Sequence, residues 1–303
     1  MKLLVELPEL IEDAIMITPA IENLLKHYRD AEVTFVGSSI SSQFFKNDKR
    51  IKSLVVEETN KSIFSLLSLF RLAKSVGTQD LVVSFKKDFH SKFFLFFIDC
   101  ENKINFVDNM ENIHKVEKYN NFINTVLQSN YRAGDLMLKF KPQWNKKPTF
   151  GIHAGSTYAN VKRWNAKEFA KVAVKLSSKY DVVLLGGRNE IDICSDIEAE
   201  LKANGIKNYE NLAGKTSVSQ LVEKIAGLDL FLTIDSGPMQ IAAVYRVNTI
   251  VVPTSYEKIE LISQWKNPWE TIIYKHVDPY SEDENEDYIP TSEDVLSLFP
   301  NIK

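Results

Sequence analysis

The sequence predicts an α/β protein made of two doubly wound halves, each built on a parallel sheet. Short apolar segments alternate with amphipathic stretches of about 10–15 residues, a pattern typical of parallel strands joined by crossover helices. The alternation stops at residues 141–147, a polar stretch with Pro142 inside it and Pro148 after it, and then begins again. A length of 303 residues also favours two domains. We therefore expect domains at residues 1–146 and 147–303.

The first half opens with a short apolar segment, after which strands and helices alternate. We predict strands at residues 3–7, 32–37, 54–57, 80–85 and 103–107, and helices at residues 14–28, 63–76, 88–98 and 113–128. Pro19 predicts a break in the first helix, because proline cannot donate a helical hydrogen bond. Four phenylalanines of the 88–98 helix are expected in the core, with a membrane-facing patch as the alternative: Phe93, Phe94, Phe96 and Phe97.

The second half repeats the pattern. We predict strands at residues 149–152, 181–185, 209–212, 228–234 and 248–252, and helices at residues 165–179, 190–204, 217–227, 235–245 and 291–299. Asn165 is expected to cap the first of these helices, and Glu168 three residues later fits a capping box. The sequence leaves open whether the last helix packs back on the first domain.

Composition and charge exclude several functions. A formal net charge of −3 argues against a general nucleic-acid binder, which needs a basic excess. Cys100 and Cys194 are too few for a disulfide framework or a structural zinc site, and we expect both to be inert. The histidines show no metal-ligand spacing, and no apolar run approaches the ~20 residues that span a bilayer. We expect a cytoplasmic protein without a bound metal, and leave open its attachment to a membrane surface.

Ligands of doubly wound sheets bind beyond the carboxyl ends of the strands, and two such domains make a cleft. The loop Asp235-Ser236-Gly237-Pro238 follows a strand and opens a helix. Backbone N–H groups at a helix start attract phosphate, and Asp235 could accept a hydrogen bond from a sugar hydroxyl. A plain helix start is the alternative.

Small residues follow the strand at 149–152, where N–H and hydroxyl groups could hold ligand oxygens: His153, Ala154, Gly155, Ser156 and Thr157. Lys162 precedes the next helix and could neutralise a departing diphosphate, or it could be a surface cation. Gly186 and Gly187 end another strand without a G-x-G-x-x-G pattern, so a tight turn and a ligand loop are both open.

Asp13 is the main candidate of the first half, since it follows the first strand. A carboxylate there could take a proton from an incoming hydroxyl, or it could cap the helix that follows. Four basic residues follow the 80–85 strand and could meet an anionic acceptor, or they could form a solvated basic face: Lys86, Lys87, His90 and Lys92.

The motifs taken together resemble glycosyltransferase family nine, the heptosyltransferases of lipopolysaccharide core assembly. Five segments carry the resemblance in order: H-A-G-S at 153–156, K-R-W at 162–164, L-L-G-G at 184–187, N-L-A-G-K-T-S at 211–217 and D-S-G-P-M at 235–239. Leu7-Pro8, Asp13 and residues 18–20 are similar to the family's opening loop and helix. The resemblance implies a GT-B fold, with two Rossmann-like domains facing a central cleft.

The same resemblance implies an inverting transfer of heptose from ADP-heptose to the inner core of lipopolysaccharide or lipooligosaccharide, without a cofactor. Asp13 would be the general base, and Lys162 would contact the diphosphate. The resemblance places donor binding in the second domain, at Gly155, Ser156, Thr157, Gly186, Gly187, Gly214, Asp235, Ser236, Gly237 and Gln240.

Three positions depart from the family pattern. The family usually has Gly, His and Gly where this chain has Glu12, Gln240 and Val252. These changes keep open an altered sugar specificity, or a catalytically impaired nucleotide-sugar-binding homologue with a regulatory or scaffolding role. An epimerase of the same fold, which converts a nucleotide sugar without an acceptor, is a third alternative. The sequence also leaves the oligomeric state open.

Overall fold

A computed structural model describes residues 1–57, 65–108, 112–155, 164–253, 259–261, 263–273 and 290–299. The chain divides into two compact units, residues 1–140 and 141–303. The boundary falls at the start of the polar stretch at residues 141–147. Gln143 in this stretch donates its backbone N–H to the carbonyl of Glu223 at 2.9 Å, which attaches the stretch to the second unit.

The first unit is organised around a parallel sheet. Its strands β1 to β5 span Lys2–Glu6, Glu32–Gly37, Ile51–Val56, Leu81–Ser84 and Lys103–Asn105. They pair in the order β3-β2-β1-β4-β5, and every pair is parallel. Because β1 and β4 are neighbours, the strand order reverses between them, and this switch point is where doubly wound sheets bind ligands.

Helices cover both faces of this sheet in the described residues. Helices α1 to α5 span Ile11–Met16, Thr18–His27, Ser65–Val76, Phe89–Phe97 and Lys115–Leu127, and a 3-10 helix spans Ser41–Phe45. The predicted break near Pro19 is confirmed, because α1 ends at Met16 and α2 begins at Thr18. The prediction that the α4 phenylalanines are core residues holds for Phe94, and Phe93 and Phe97 are half-buried against the same core. It is wrong for Phe96, which is 76% exposed.

The second unit repeats the plan. Strands β6 to β11 span Thr149–His153, Asp181–Leu185, Tyr209–Asn211, Leu230–Thr233, Thr249–Val251 and Glu270–Ile272. They pair in the order β11-β10-β9-β6-β7-β8, again all parallel, so the switch point lies between β6 and β9. Strand β11 was not predicted from the sequence.

The helices of the second unit pack on a buried apolar core. Helices α6 to α10 span Ala166–Leu176, Ile191–Ala203, Val218–Ala226, Gly237–Val244 and Ser292–Ser297, with 3-10 helices at Arg188–Glu190 and Ile259–Leu261. Trp164 is buried against Phe169, with ring centroids 4.5 Å apart. Burial raises the pKa of the Cys194 thiol to about 12, which agrees with an inert cysteine.

The start of α6 corrects one prediction. Asn165 caps the helix as expected, since its Oδ1 accepts the N–H of Lys167 at 2.9 Å. Glu168 does not close a capping box; its Oε2 accepts the N–H of Ser292 at 2.6 Å instead. This bond ties the start of α10 to α6, and Val295 of α10 enters the core of the same unit. The last helix therefore has its packing partners within the second unit.

Candidate active site

The first candidate site lies at the switch point of the first unit, beyond the carboxyl ends of β1 and β4. A cavity of about 260 Å³ opens there. It is lined by the loops after β1, β4 and β5, by the first turn of α1 and by one face of α5: Pro8, Glu9, Asp13, Phe85, Lys86, Lys87, Asp88, Phe106, Asp108, Lys115, Lys118 and Tyr119. The structure thus brings together Asp13, Lys86 and Lys87, which the sequence singled out from two separate loops.

Asp13 is held by two donors from α5. It lies in the first turn of α1, whose N-cap residue is Leu10, so the alternative that Asp13 caps the helix is wrong. Lys115 Nζ lies 2.9 Å from Asp13 Oδ1, and the Tyr119 hydroxyl donates a further hydrogen bond to the carboxylate. Burial, reinforced by the charge of Asp13, raises the pKa of Tyr119, so its side chain remains a donating phenol. Two donors therefore fix the rotation of this carboxylate.

Two more lysines of the cavity meet at Asp108. Lys87 Nζ and Lys118 Nζ each lie 2.9 Å from a different carboxylate oxygen of Asp108. Burial acts to raise the pKa of Asp108, but the hydrogen bonds from the two ammonium groups outweigh burial, and the pKa is lowered. An anionic ligand in the cavity would compete with Asp108 for these two cations.

Lys86 is a buried cation, and the alternative of a solvated basic face is wrong for it. Its Nζ lies 2.5 Å from Glu57 Oε2 and 3.7 Å from Glu6 Oε1. Burial acts to lower the pKa of Lys86, but the surrounding carboxylates outweigh burial and raise it. Since Glu6 ends β1, Glu57 follows β3 and Lys86 follows β4, the cluster ties three strand ends together.

Glu6 is the buried anion of this cluster. Its Oε2 accepts hydrogen bonds from Ser84 Oγ at 2.6 Å and from Ser91 Oγ at 2.5 Å. Burial is the largest influence on Glu6 and raises the pKa of its carboxyl group, although Lys86 and the two hydroxyls act in the opposite direction. The loop after β4 and the start of α4 are therefore attached to β1 through one carboxylate.

His90 and Lys92 lie on α4 and are not among the described residues that line the cavity. Asp88 caps α4 by accepting the N–H of Ser91 at 2.9 Å. Lys92 is exposed on the outer side of the helix. Their predicted contact with the acceptor stays a prediction, and the cavity itself gives it no support.

The second candidate site lies at the switch point of the second unit, where β6 and β9 are neighbours. His153 ends β6 and Ser236 follows β9, and Ser236 Oγ lies 3.3 Å from His153 Nδ1. His153 is buried, and burial lowers the pKa of its imidazole to about 4. The ring is therefore neutral near pH 7, and it joins the two loops that the sequence proposed as ligand loops.

Glycines around the second site make room for one carboxylate, that of Glu190. A Cβ on Gly155 would lie 1.9 Å from Glu190 Cγ, and a Cβ on Gly186 would lie 2.6 Å from Glu190 Cβ. The N–H of Gly187 donates to Glu190 Oε2 at 2.7 Å. Gly214 has a φ of +70°, which favours glycine, and its N–H donates to the Gly186 carbonyl at 2.9 Å. Packing thus explains why these loops are glycine-rich.

Glu190 is a candidate site residue that the sequence analysis missed. Its side chain is 5% exposed, and its Oε1 has no hydrogen-bond partner among the described residues. A buried carboxylate oxygen is unfavourable unless a donor satisfies it, so this atom lacks a donor that a ligand hydroxyl could supply. The only signal in the sequence was an acid three residues after the Gly-Gly pair.

The helix start after β9 takes the form that the sequence predicted. Helix α9 begins at Gly237, with Ser236 as the N-cap residue and Pro238 in the first turn. Ser236 Oγ donates to the Ile234 carbonyl at 3.2 Å rather than accepting from the first-turn N–H groups. Gln240 is fully buried, and its Nε2 donates to the Ser263 carbonyl at 3.3 Å, so it supports the chain segment before β11.

Four predicted site residues remain: Asp235, Ser156, Thr157 and Lys162. Asp235 is half-buried at the same loop, next to the start of α9. Ser156, Thr157 and Lys162 lie outside the described residues. The missed residues Lys115, Lys118 and Tyr119 stand at spacings of three and four on a helix that was predicted, so they share a face. That spacing was the signal that could have found them.

The described part of the chain offers no candidate metal centre and no candidate membrane span. None of its groups of His, Cys, Asp and Glu is arranged to hold a metal ion. No helix there combines the length and apolar character needed to cross a bilayer.

Two doubly wound parallel units in one chain, each with polar loops at its switch point, are the architecture of the GT-B fold. The chain belongs to glycosyltransferase family 9, the heptosyltransferase family, whose model matches residues 116–274. The predicted family and fold are thereby confirmed.

Relatives and solved structures agree with this assignment. A Campylobacter jejuni protein named lipooligosaccharide heptosyltransferase 2 is 34% identical over 278 residues, which cover 88% of this chain and 85% of the relative. A family 9 glycosyl transferase from Veillonella parvula superposes with a TM-score of 0.79 at 17% identity, over 90% of this chain and 85% of that one. The structure of E. coli ADP-heptose LPS heptosyltransferase II superposes with a TM-score of 0.77 at 19% identity, over 98% and 97%. The two structural likenesses show the fold.

Proposed function

We propose that this protein is an inverting glycosyltransferase that transfers heptose from ADP-heptose to the inner core of lipopolysaccharide or lipooligosaccharide. The observation that carries the proposal is Asp13, a carboxylate fixed by Lys115 and Tyr119 in a cavity at the switch point of the first unit. The name of the C. jejuni relative supports the acceptor class, and the name of the E. coli structure supports the donor.

The transfer needs one base and one stabilised leaving group. The acceptor hydroxyl oxygen forms a bond to the anomeric carbon while the bond from that carbon to the diphosphate oxygen breaks. Asp13 takes the hydroxyl proton, and ADP leaves with the electron pair. Attack from the face opposite the leaving group inverts the anomeric configuration. The step requires neither a covalent intermediate nor a cofactor or bound metal.

The second unit binds the donor in this proposal. Negative charge that develops on the departing diphosphate is stabilised by Lys162 and by the N–H groups at the start of α9. Glu190 Oε1 and Asp235 accept hydrogen bonds from hydroxyl groups of the donor. The contact between the neutral His153 ring and Ser236 holds the loops after β6 and β9 next to each other for donor binding.

The first unit binds the acceptor. Lys87 and Lys118 bind a phosphate or an acid sugar of the core by exchanging Asp108 for that anion, and Lys115 keeps Asp13 oriented. Lys86 stabilises the wall of this site through its ion pairs with the buried carboxylates of Glu6 and Glu57. We place the reaction at the cytoplasmic face of the inner membrane, where a lipid-linked acceptor is within reach.

The test is a transfer assay with ADP-heptose and a core oligosaccharide that lacks the receiving heptose, followed by mass spectrometry and by NMR of the new anomeric centre. We expect one added heptose with inverted configuration, equal rates with and without EDTA, and no product with UDP- or GDP-sugars. If ADP-heptose binds in calorimetry but is transferred to no core acceptor, the protein is instead a catalytically impaired nucleotide-sugar-binding homologue. Conversion of the donor in the absence of acceptor would replace the proposal by an epimerase.

A further inference from the structure

Helices α3 and α4 present a continuous apolar surface that the candidate site does not use. Its members are called the α3–α4 aromatic face here: Leu67, Phe70, Phe89, Phe93, Phe96 and Phe97. Phe89 and Phe96 are 68% and 76% exposed, and Leu67 is 56% exposed. Large side chains that are this exposed and adjacent to one another mark an interaction site on a soluble protein.

The rings of the face touch one another across both helices. Ring centroids lie 4.5 Å apart for Phe89 and Phe93, 6.5 Å for Phe93 and Phe97, and 5.4 Å for Phe97 and Phe70. Phe96 contacts Phe97 with centroids 5.4 Å apart. The face is therefore one patch held together by its own packing rather than a scatter of separate exposed residues.

The opposite sides of the two helices explain why the patch stays outside. Leu69 and Ala73 of α3, and Phe94 and Leu95 of α4, are buried in the core against β1 and β4. Phe93 and Phe97 pack against the edge of this core, whereas Phe89 and Phe96 point away from it, because the inward stripe of α4 is already filled.

The charges within the two helices are all basic. Arg71 and Lys74 are exposed on α3 and Lys92 is exposed on α4, whereas neither helix contains an acid. Lys74 Nζ lies 5.7 Å from the centre of the Phe70 ring, at the border of the patch. The acids near the helix ends have other partners: Asp88 caps α4, and Asp99 accepts a hydrogen bond from Thr78.

We propose that the α3–α4 aromatic face docks on a lipid bilayer that carries anionic headgroups. Aromatic and aliphatic side chains enter the boundary between headgroups and acyl chains, while Arg71, Lys74 and Lys92 bind headgroup phosphates. A second copy of the chain fits this surface poorly, because a symmetric contact would bring the same three cations against their own copies.

This docking deepens the proposed function. Helix α4 begins directly after Asp88, which lines the cavity that holds Asp13, so the patch and the cavity are adjacent in the chain and belong to one unit. An enzyme whose acceptor is anchored in lipid gains from such attachment, since the acceptor is then confined near the cavity. The role of the patch in bringing the enzyme to its acceptor rests on the proposed function, whereas the affinity of the patch for lipid does not.

The test is co-sedimentation of the full chain with vesicles of phosphatidylethanolamine and phosphatidylglycerol, compared with vesicles of phosphatidylcholine alone. We expect binding to the anionic vesicles that weakens as salt is added. F89S/F96S should lower the affinity by about tenfold or more for each phenylalanine removed, and R71Q/K74Q by about fivefold for each charge removed. Trp269→Ser, which removes an aromatic residue that is 60% exposed in the second unit, should bind like the wild type.

Transfer assays separate this proposal from the proposed function. F89S/F96S should keep the wild-type rate on a delipidated, soluble core oligosaccharide and lose rate only on an acceptor embedded in vesicles. If the wild type transfers to neither acceptor, the proposed function fails, and sedimentation alone decides the docking. Equal vesicle binding by the wild type and F89S/F96S would overturn the docking proposal. A second result would also overturn it: the wild type is a dimer in sedimentation velocity, F89S/F96S is a monomer, and neither binds vesicles.

Discussion

Lys115 Nζ lies 2.9 Å from Asp13 Oδ1, across a separation of 102 residues in the chain. The contact joins α5 to α1, and Tyr119, one helical turn after Lys115, adds its hydroxyl to the same carboxylate. A base that must take a proton in a defined direction needs its oxygen atoms fixed in place. This pairing supplies such fixation in the first unit.

Asp13→Asn is expected to reduce transfer strongly and leave the fold intact. The amide keeps the shape of the side chain but cannot take the acceptor proton, and loss of a general base lowers kcat by about 10²–10⁴-fold. Single-turnover rates with saturating donor and acceptor measure the effect, and circular dichroism with urea unfolding checks the fold. Undiminished turnover in this variant would remove Asp13 from the mechanism.

Lys115→Met tests whether the lysine positions the base. We expect kcat to fall by about 10–100-fold, the loss that a misplaced reactive group causes, while KM for ADP-heptose stays unchanged because the donor binds to the second unit. Lys115→Arg keeps a donor at the same place and should recover most of the rate. A variant in which only KM for the donor rises would contradict the positioning role.

Much of the fold was predictable because parallel strands and their crossover helices leave strong sequence patterns. The break at Pro19, the cap at Asn165 and the helix start at Gly237 were all predictable from local chemistry. Phe96 is a residue for which the local pattern predicts the wrong burial. An apolar helix position predicts burial, but α4 has more apolar residues than its inward stripe can place in the core.

The site was harder to predict, since its contacts join distant parts of the chain. Asp13 was recognisable as a carboxylate after a strand, but nothing local pairs it with Lys115. Lys86 looked like part of a basic surface because its neighbours in sequence are charged, whereas its partners Glu6 and Glu57 come from other strands. Side-chain partners across a sheet depend on strand order, which the sequence patterns of single elements do not contain.

Glu190→Gln tests the buried carboxylate oxygen of the second unit. If Glu190 Oε1 accepts a hydrogen bond from a hydroxyl of the donor, the variant should raise KM for ADP-heptose by about 10–150-fold, the effect of losing a hydrogen bond to a charged group, and change kcat little. Calorimetry with ADP-heptose gives the same quantity without turnover. Asp192→Asn, two residues later at the start of α7, is the matched control and should leave the affinity unchanged.

Lys86→Met tests the buried charge cluster. Removing the cation leaves Glu6 and Glu57 buried without their partner, so we expect the free energy of unfolding to fall by about 3–5 kcal/mol. Urea titration at pH 7 measures the loss, and K86M/E57Q should recover part of it because one of the two unpaired charges is gone. Lys87→Met removes a neighbouring lysine that is 53% exposed and should change stability by less than about 1 kcal/mol. Equal stabilities for these two single variants would contradict the structural role of Lys86.

His153 gives the second unit a predictable response to acid. Burial lowers the pKa of His153 to about 4 in the folded state, against an ordinary value of 6.5. Between these values the unfolded chain binds a proton that the folded chain rejects, so the contribution of His153 to stability is lost as pH falls below 6.5. From pH 7 to pH 5 the loss amounts to about 2 kcal/mol, measurable by urea unfolding at the two values. His153→Gln should lack this part of the pH dependence, whereas His27→Gln, at an exposed histidine, should keep it. If the free energy of unfolding of the wild type and of His153→Gln changes equally between pH 7 and pH 5, the buried imidazole does not cause this dependence.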